Sequence, residues 1–327
     1  MSADMTQSPL SGRQHLLVHG DYVATVASVG ASLRELRHAG RDLVVPFAAD
    51  ELRPRFRGAT LAPWPNRVAD GRYELDGVEH QLALTEPDRG NALHGLAVWL
   101  DFRAVAGSDS GVGESDSSVT LAAVVEPQAG YPWRVAVETT YALGDDGLTQ
   151  TVRTTNLSAT TAPVGVAPHP YLVAGPLPLD TWTLHLPADQ VLSVTDDRLL
   201  PVDLVGVEAD PARFDFREPR ALGEVMIDHA FTGLRRNERG LVTVTLTAPG
   251  RRGVAMTWDA ACPWVQIHTA DIPGAAGTPA DRLGLAVEPM TCAPDALNTG
   301  RYRFDTGLWL LGPGTTGEAS WTISALG

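Results

Sequence analysis

The chain is poor in cysteine: Cys262 and Cys292 are its only two among 327 residues. Two thiols can close one bridge but cannot make a disulfide framework. Free, buried thiols in a reducing, cytoplasmic setting are the expectation. Long apolar runs are also missing. No stretch approaches the ~20 apolar residues of a membrane span, and residues 1–12 lack the basic-then-apolar order of a secretory leader. Positive charge is scarce, with 25 Lys and Arg against 39 Asp and Glu and a formal net charge of −14. That balance speaks against nucleic acid or an anionic membrane as partner and leaves a neutral small molecule open. The nine histidines do not fall into H-x-x-x-H or H-E-x-x-H spacing, and no C-x-x-C occurs, so no metal is expected. The G-x-S-x-G elbow of a serine hydrolase is absent. So are the glycine loops that cradle phosphates, and no cofactor is expected.

What is present is period-two alternation. Trp133, Val135, Val137, Tyr141 and Leu143 share one face of a strand, with Arg134, Glu138 and Thr140 on the other. The cluster Gly144-Asp145-Asp146-Gly147 predicts a turn, and 148–156 a return strand. Residues 241–248 and 254–258 predict a second hairpin, and 71–82, turning at Asp76-Gly77, a third. Residues 31–38 predict a short helix. The Gly/Ser/Asp-rich stretch 107–118 predicts a mobile loop. Many short strands with dispersed Gly and Pro predict an all-β fold, a large antiparallel β-sandwich. Residues 1–327 are expected to form a single domain, with 1–12 a flexible leader.

Several polar residues sit in unusual backbone settings. His169 lies between Pro168 and Pro170. Pro170 disfavours helical backbone before it, and neither proline can donate to a ladder. The result is a stiff extended segment carrying an imidazole that titrates near neutrality. A blunted strand edge is the alternative reading. Glu288 shares a strand face with Gly284 and Ala286, and also precedes a proline. It is either the carboxylate at the end of a hollowed strand face or an outward-facing glutamate. Arg67 follows the proline-stiffened Ala62-Pro63-Trp64-Pro65-Asn66 and offers either a fork of donors or a structural ion pair. His94 lies in Asn91-Ala92-Leu93-His94-Gly95, and Asp228 interrupts the apolar run 225–231. An acid there requires a partner, structural or ligand. Carboxylate and imidazole together make a base–acid pair that needs no metal or nucleophile.

Six stretches in order, Asn66 to Tyr73 with its preceding Pro65, 91–95, 168–171, 228–231, 265–269 and 287–290, resemble the aldose 1-epimerase (galactose mutarotase) family. The resemblance runs from about Gly58 to the C-terminus. It implies a supersandwich of two large antiparallel sheets with a sugar site in a groove. It implies His169 as the general acid toward the ring oxygen, Glu288 as the base toward the anomeric hydroxyl, and His94 as a holder of the reacting end. Arg67, Asp228, Gln266 and Asn66 would bind sugar hydroxyls. The protein would act on a monosaccharide as a monomer or homodimer. His268 departs from the family's tyrosine, Ala270-Asp271 from its Gly-Asn, and Leu96 from its second glycine. A hexose-6-phosphate epimerase with Arg53, Arg55 and Arg57 around the phosphate is an alternative, although those arginines read more simply as a solvated basic strand. A non-catalytic sugar-binding sandwich, stacking sugars on tryptophan, is another, although Trp133 and Trp258 occupy core-like positions.

Overall fold

The computed structural model describes residues 8–106, 116–176, 178–250, 252–272, 274, 276, 278 and 281–327. Among the described residues helix is confined to short turns, with Pro211–Phe214 the one α-helical piece. The fold is all-β and its strand ladders are antiparallel.

The largest sheet has nine strands. Val135–Gly144 pairs with Gly147–Asn156 through ten residue pairs, turning at the expected Gly-Asp-Asp-Gly cluster. Its buried and half-exposed positions alternate strictly, with Val135, Val137, Tyr141 and Leu143 inward. Val242–Thr247 pairs with Gly253–Trp258 in the same manner. Between these two hairpins runs Thr316–Leu326, bonded to Gly147–Asn156 on one side and to Gly253–Trp258 on the other. The third hairpin, Arg72–Leu75 with Val78–Gln81, closes at Asp76 and Gly77. Both have positive φ, which the tightest hairpin turn requires. Trp133 and Trp258 are buried in the core.

Residues 31–38 depart from expectation. They form the strand Ser32–His38, paired with Tyr22–Ala27. Thr25 faces Glu35 while Val26 faces Leu33, so Arg34 is an extra, bulged residue. The bulge brings Leu33 and Leu36, three apart in sequence, to the same buried side. A strand with one inserted residue thereby imitates helical spacing. Of the loop expected at 107–118, residues 107–115 lie outside the described residues, and Ser118 begins the strand Ser118–Val125. Of the expected leader, residues 1–7 lie outside them as well. Ser11 is buried and its N–H donates to Ala49 O.

The second large sheet has six strands, in the order Tyr171–Leu172, Leu285–Met290, Trp264–His268, Asp228–Leu234, Ala188–Val194, Pro201–Gly206. One face sends Leu285, Val287, Val265, Ile267 and Phe231 into the core shared with the nine-stranded sheet. The other face starts apolar, with Trp264, Met290 and Ala230 in a smaller cluster. It then turns polar, and there the candidate site lies.

Candidate functional site

Two cross-strand rows form the floor of the site. Tyr171 faces Ala286, Ala286 faces His268, and His268 faces Asp228. Glu288 faces Gln266, which faces Ala230. Continuing the Tyr171–Ala286 register by two residues puts His169 opposite Glu288. The ladder does not formally extend that far because Pro170 has no N–H, yet Pro170 O still accepts from Val287 N. The prolines therefore end a ladder without displacing the strand. The floor lines a cavity of about 330 Å³, walled also by Phe56, Asn66, Arg67, Glu86 and His94.

His169 Nε2 and Glu288 Oε1 are 3.5 Å apart, and both side chains are almost fully buried. Glu288 Oε2, His169 Nδ1 and Gln266 Oε1 are buried without a protein partner among the described residues. Buried polar atoms left unpaired are costly, and here they gather in one cavity. Burial holds the Glu288 carboxyl well above its ordinary range, and Asp228 adds to this. Burial, with His268, pushes the His169 imidazole down to about 3. Both groups thus favour their uncharged forms in this dry setting.

His94 is held by its own turn. Its N–H donates to Asn66 O, and its Nδ1 accepts from Asn66 N. The proton therefore sits on Nε2. Burial, with His169 next, depresses the His94 pKa well below its usual value, so the ring is a neutral donor. Phe56 packs edge-on against the ring at 4.7 Å between centroids. Gly95 follows at φ +76°, and a Cβ there would come within 2.2 Å of Ala62 O. Only glycine allows the two backbones to approach so closely.

Asn66 Oδ1 accepts from Arg67 N at 2.8 Å, so this side chain is spent in part on aiming its neighbour. Arg67 donates Nε and Nη2 to the two oxygens of Glu86, at 2.9 and 3.1 Å. Its Nη2 lies 3.5 Å from Asp228 Oδ2. Burial would lower the Arg67 pKa, but Asp228 and Glu86 outweigh it and the net shift is upward. Asp228 accepts from Gln266 Nε2 at 2.6 Å. Burial raises the Asp228 pKa, yet His268, Arg67 and Gln266 together bring it below the ordinary value. Asp228 is therefore a charged acceptor beside a charged donor, one strand further from the His169–Glu288 pair than Gln266.

All seven residues singled out from the sequence, His169, Glu288, His94, Arg67, Asp228, Gln266 and Asn66, line this cavity. Of the three arginines expected as a cluster, Arg55 is exposed and lines the cavity, and Arg53 departs from expectation. Arg53 is no solvated strand residue. It is buried, donates to Ser32 Oγ and the carbonyls of Val29 and Val98, and its guanidinium stacks on Trp99. Arg57 donates to Pro46 O. The space beside Gly284 is likewise no cleft, since Val45 and Leu172 O occupy it. Sequence reasoning passed over Glu86 and Phe56. Neither has an alternation or motif to mark it; only the turn-rich Glu86-Pro87-Asp88-Arg89-Gly90 before Asn91 hints that the segment bends back. Among the described residues no group of three or more His, Cys, Asp or Glu is placed to hold a metal ion, and no helix is long and apolar enough to cross a membrane.

The family model described as Aldose 1-epimerase matches residues 13–314. The chain is 35% identical over 298 residues to the Uncharacterized protein YihR of Escherichia coli (strain K12), covering 90% of this chain and 89% of that one. It is 30% identical over 204 residues to the Galactose mutarotase of Rattus norvegicus, covering 60% of this chain and 56% of the relative. Among solved structures, the GalM/aldose epimerase homologue from C. elegans superimposes with a TM-score of 0.78 at 20% identity, covering 95% of this chain and 98% of that one. Galactose 1-epimerase from Lactobacillus acidophilus NCFM gives 0.72 at 18% identity, covering 95% and 93%. At these identities the structural likeness shows a common fold.

Proposed function

Because the chain belongs to the aldose 1-epimerase family, we propose that it interconverts the α and β anomers of a monosaccharide by acid–base opening and reclosure of the sugar ring. The observation that carries this is the buried His169–Glu288 pair, 3.5 Å apart at the cavity floor. The two sugar oxygens that exchange protons, O1 and O5, are bonded to the same carbon. A base and an acid serving them must themselves be neighbours.

Glu288 takes the proton of the O1 hydroxyl while His169 Nε2–H gives one to O5. The C1–O5 bond breaks and C1 becomes an aldehyde. Rotation about C1–C2 turns the other face toward O5, and the reverse transfers close the ring. The pair holds one proton before and after. Burial alone would leave that proton on Glu288 with His169 neutral; hydrogen bonds from sugar hydroxyls to the carboxylate favour the charge-separated arrangement. Roles exchange on the return step, so either placement of the single proton leads into the cycle. Each group is worth about 10²–10⁴-fold. His94 Nε2–H, being neutral, steadies an oxygen and is not the proton source. Asp228, Arg67 and Gln266 grip hydroxyls further along the floor, with Asn66 helping to aim Arg67. That leaves the C1 end free to turn.

Polarimetry or anomer-exchange NMR on freshly dissolved single anomers of aldohexoses and aldopentoses tests the reading. Acceleration by the protein and its loss in Glu288→Gln and His169→Gln are expected. Tight sugar binding with no acceleration for any sugar would replace it with a non-catalytic binding role.

A further inference from the structure

Arg67 stands between two carboxylates and is shared unequally. Glu86 takes both prongs of its fork, at 2.9 and 3.1 Å. Asp228 is left with one long approach of 3.5 Å. Glu86 itself has nothing more to give. Its Oε1 also accepts from Arg89 Nη1 at 3.0 Å, and its Oε2 from Asn91 Nδ2 at 2.9 Å. A carboxylate with four charge-assisted or amide donors on two oxygens is saturated as an acceptor. It lines the cavity without being able to serve a ligand well. What it does control is where Arg67 sits.

A guanidinium beside a lone carboxylate in a buried setting closes to a short bidentate pair. Here the Nε and Nη2 donors of Arg67 are engaged by Glu86 instead. If Arg67 closed onto Asp228, its guanidinium would take up Asp228 Oδ2, the oxygen that Gln266 does not already bond. A hydroxyl would then have to break a buried ion pair to bind.

We propose that Glu86 is a positioning residue that holds Arg67 away from Asp228, keeping a donor and an acceptor separately available to the substrate's hydroxyls. For its kinetic consequence this rests on the mutarotase reading; for its structural consequence it does not. Arg198 braces the same segment from behind, donating to Arg89 O, Gly90 O and Asn91 Oδ1. The clamp therefore has a rigid backing.

Glu86→Gln keeps the shape and removes the charge. In its crystal structure Arg67 should close onto Asp228, from 3.5 Å to the roughly 2.8 Å of a direct ion pair. In kinetics, KM should rise about tenfold with kcat little changed, since the contact weakened is one made equally in the ground and transition states. Glu86→Asp gives a second, opposite reading should the glutamine variant not fold. Its carboxylate is drawn back by one methylene, and Arg67 should follow it, lengthening the approach to Asp228. An unmoved Arg67 in Glu86→Gln, or a fall in kcat with constant KM, overturns the proposal. Absence of mutarotation by the unmodified protein would overturn the functional reading alone and leave the crystallographic comparison to decide on Glu86.

Discussion

His169 lies opposite Glu288 in a register where Pro170 can accept from Val287 N but cannot donate in return. Their 3.5 Å approach follows from the pairing of Tyr171 with Ala286 two residues away. Glu288 is held by the strand Leu285–Met290 and His169 by the extended link into Tyr171–Leu172, so the sheet sets the geometry of proton transfer. Removing one member while keeping its shape should therefore leave the fold intact. Glu288→Gln is expected to lower kcat by about 10²–10⁴ with an unchanged melting temperature. Full activity in this variant would disqualify Glu288 as the base.

The pair carries a single proton through the cycle, and its titration sets the pH range of the reaction. A second proton enters only as pH falls toward the depressed His169 value of about 3. The first leaves only at a pH well above the ordinary carboxyl value, because burial holds it on Glu288. Between these limits kcat/KM, which follows the ionisation of the sugar-free protein, should stay level, with no histidine step near neutrality. An inflection near 6.5, the mark of a solvated histidine, would contradict the arrangement.

Buried neutral histidines also bear on stability. Burial, with Arg213 next, lowers the His229 pKa to about 4. The unfolded chain binds that proton near 6.5. Between about 4 and 6.5 the unfolded state holds more protons, so stability is lost as pH falls through this window. The slope is at most about 1.4 kcal/mol per pH unit for one such group. Urea midpoints at pH 7, 6 and 5 should fall less steeply in His229→Gln than in the unmodified protein. Parallel curves would show that His229 is protonated in the fold.

The turn that presents His94 depends on the absence of a side chain at Gly95. Gly95→Ala would place a methyl 2.2 Å from Ala62 O at a φ of +76°. The substitution should cost at least about 2 kcal/mol and displace His94, reducing kcat together with the melting temperature. A variant that melts and turns over normally would show that the loop has room to relax.

Much of the site was legible because strands write their faces at period two. Ala286 and Glu288 sharing a face, and the proline-flanked extension at His169, could both be read one strand at a time. What could not be read was adjacency. That Glu288 meets Gln266 and His169, rather than some other strand, depends on pairings between segments more than a hundred residues apart for His169, and no local pattern encodes them. Bulges defeat local reading differently: the inserted Arg34 made 31–38 look helical. Glu86 was invisible for a third reason. Its importance comes entirely from how Arg67 divides itself between two acids, and neither partner's neighbours in sequence carry any sign of it. Arg53 illustrates the reverse, a residue whose charge suggested solvent or a ligand but whose donors are used on backbone carbonyls and a serine.

The strand Thr316–Leu326 occupies the middle of the nine-stranded sheet, joining halves contributed by residues 147–156 and 253–258. During synthesis both halves leave the ribosome with an unpaired inner edge, and neither can be sealed until residue 326 has emerged. Such edges are templates for pairing with other chains, and long-range ladders of this kind form slowly. A nascent chain of this protein therefore carries both open edges until that strand is available to pair with them. Changes within 316–326 should appear first as reduced yield of folded protein, before any effect on the chemistry of a distant cavity.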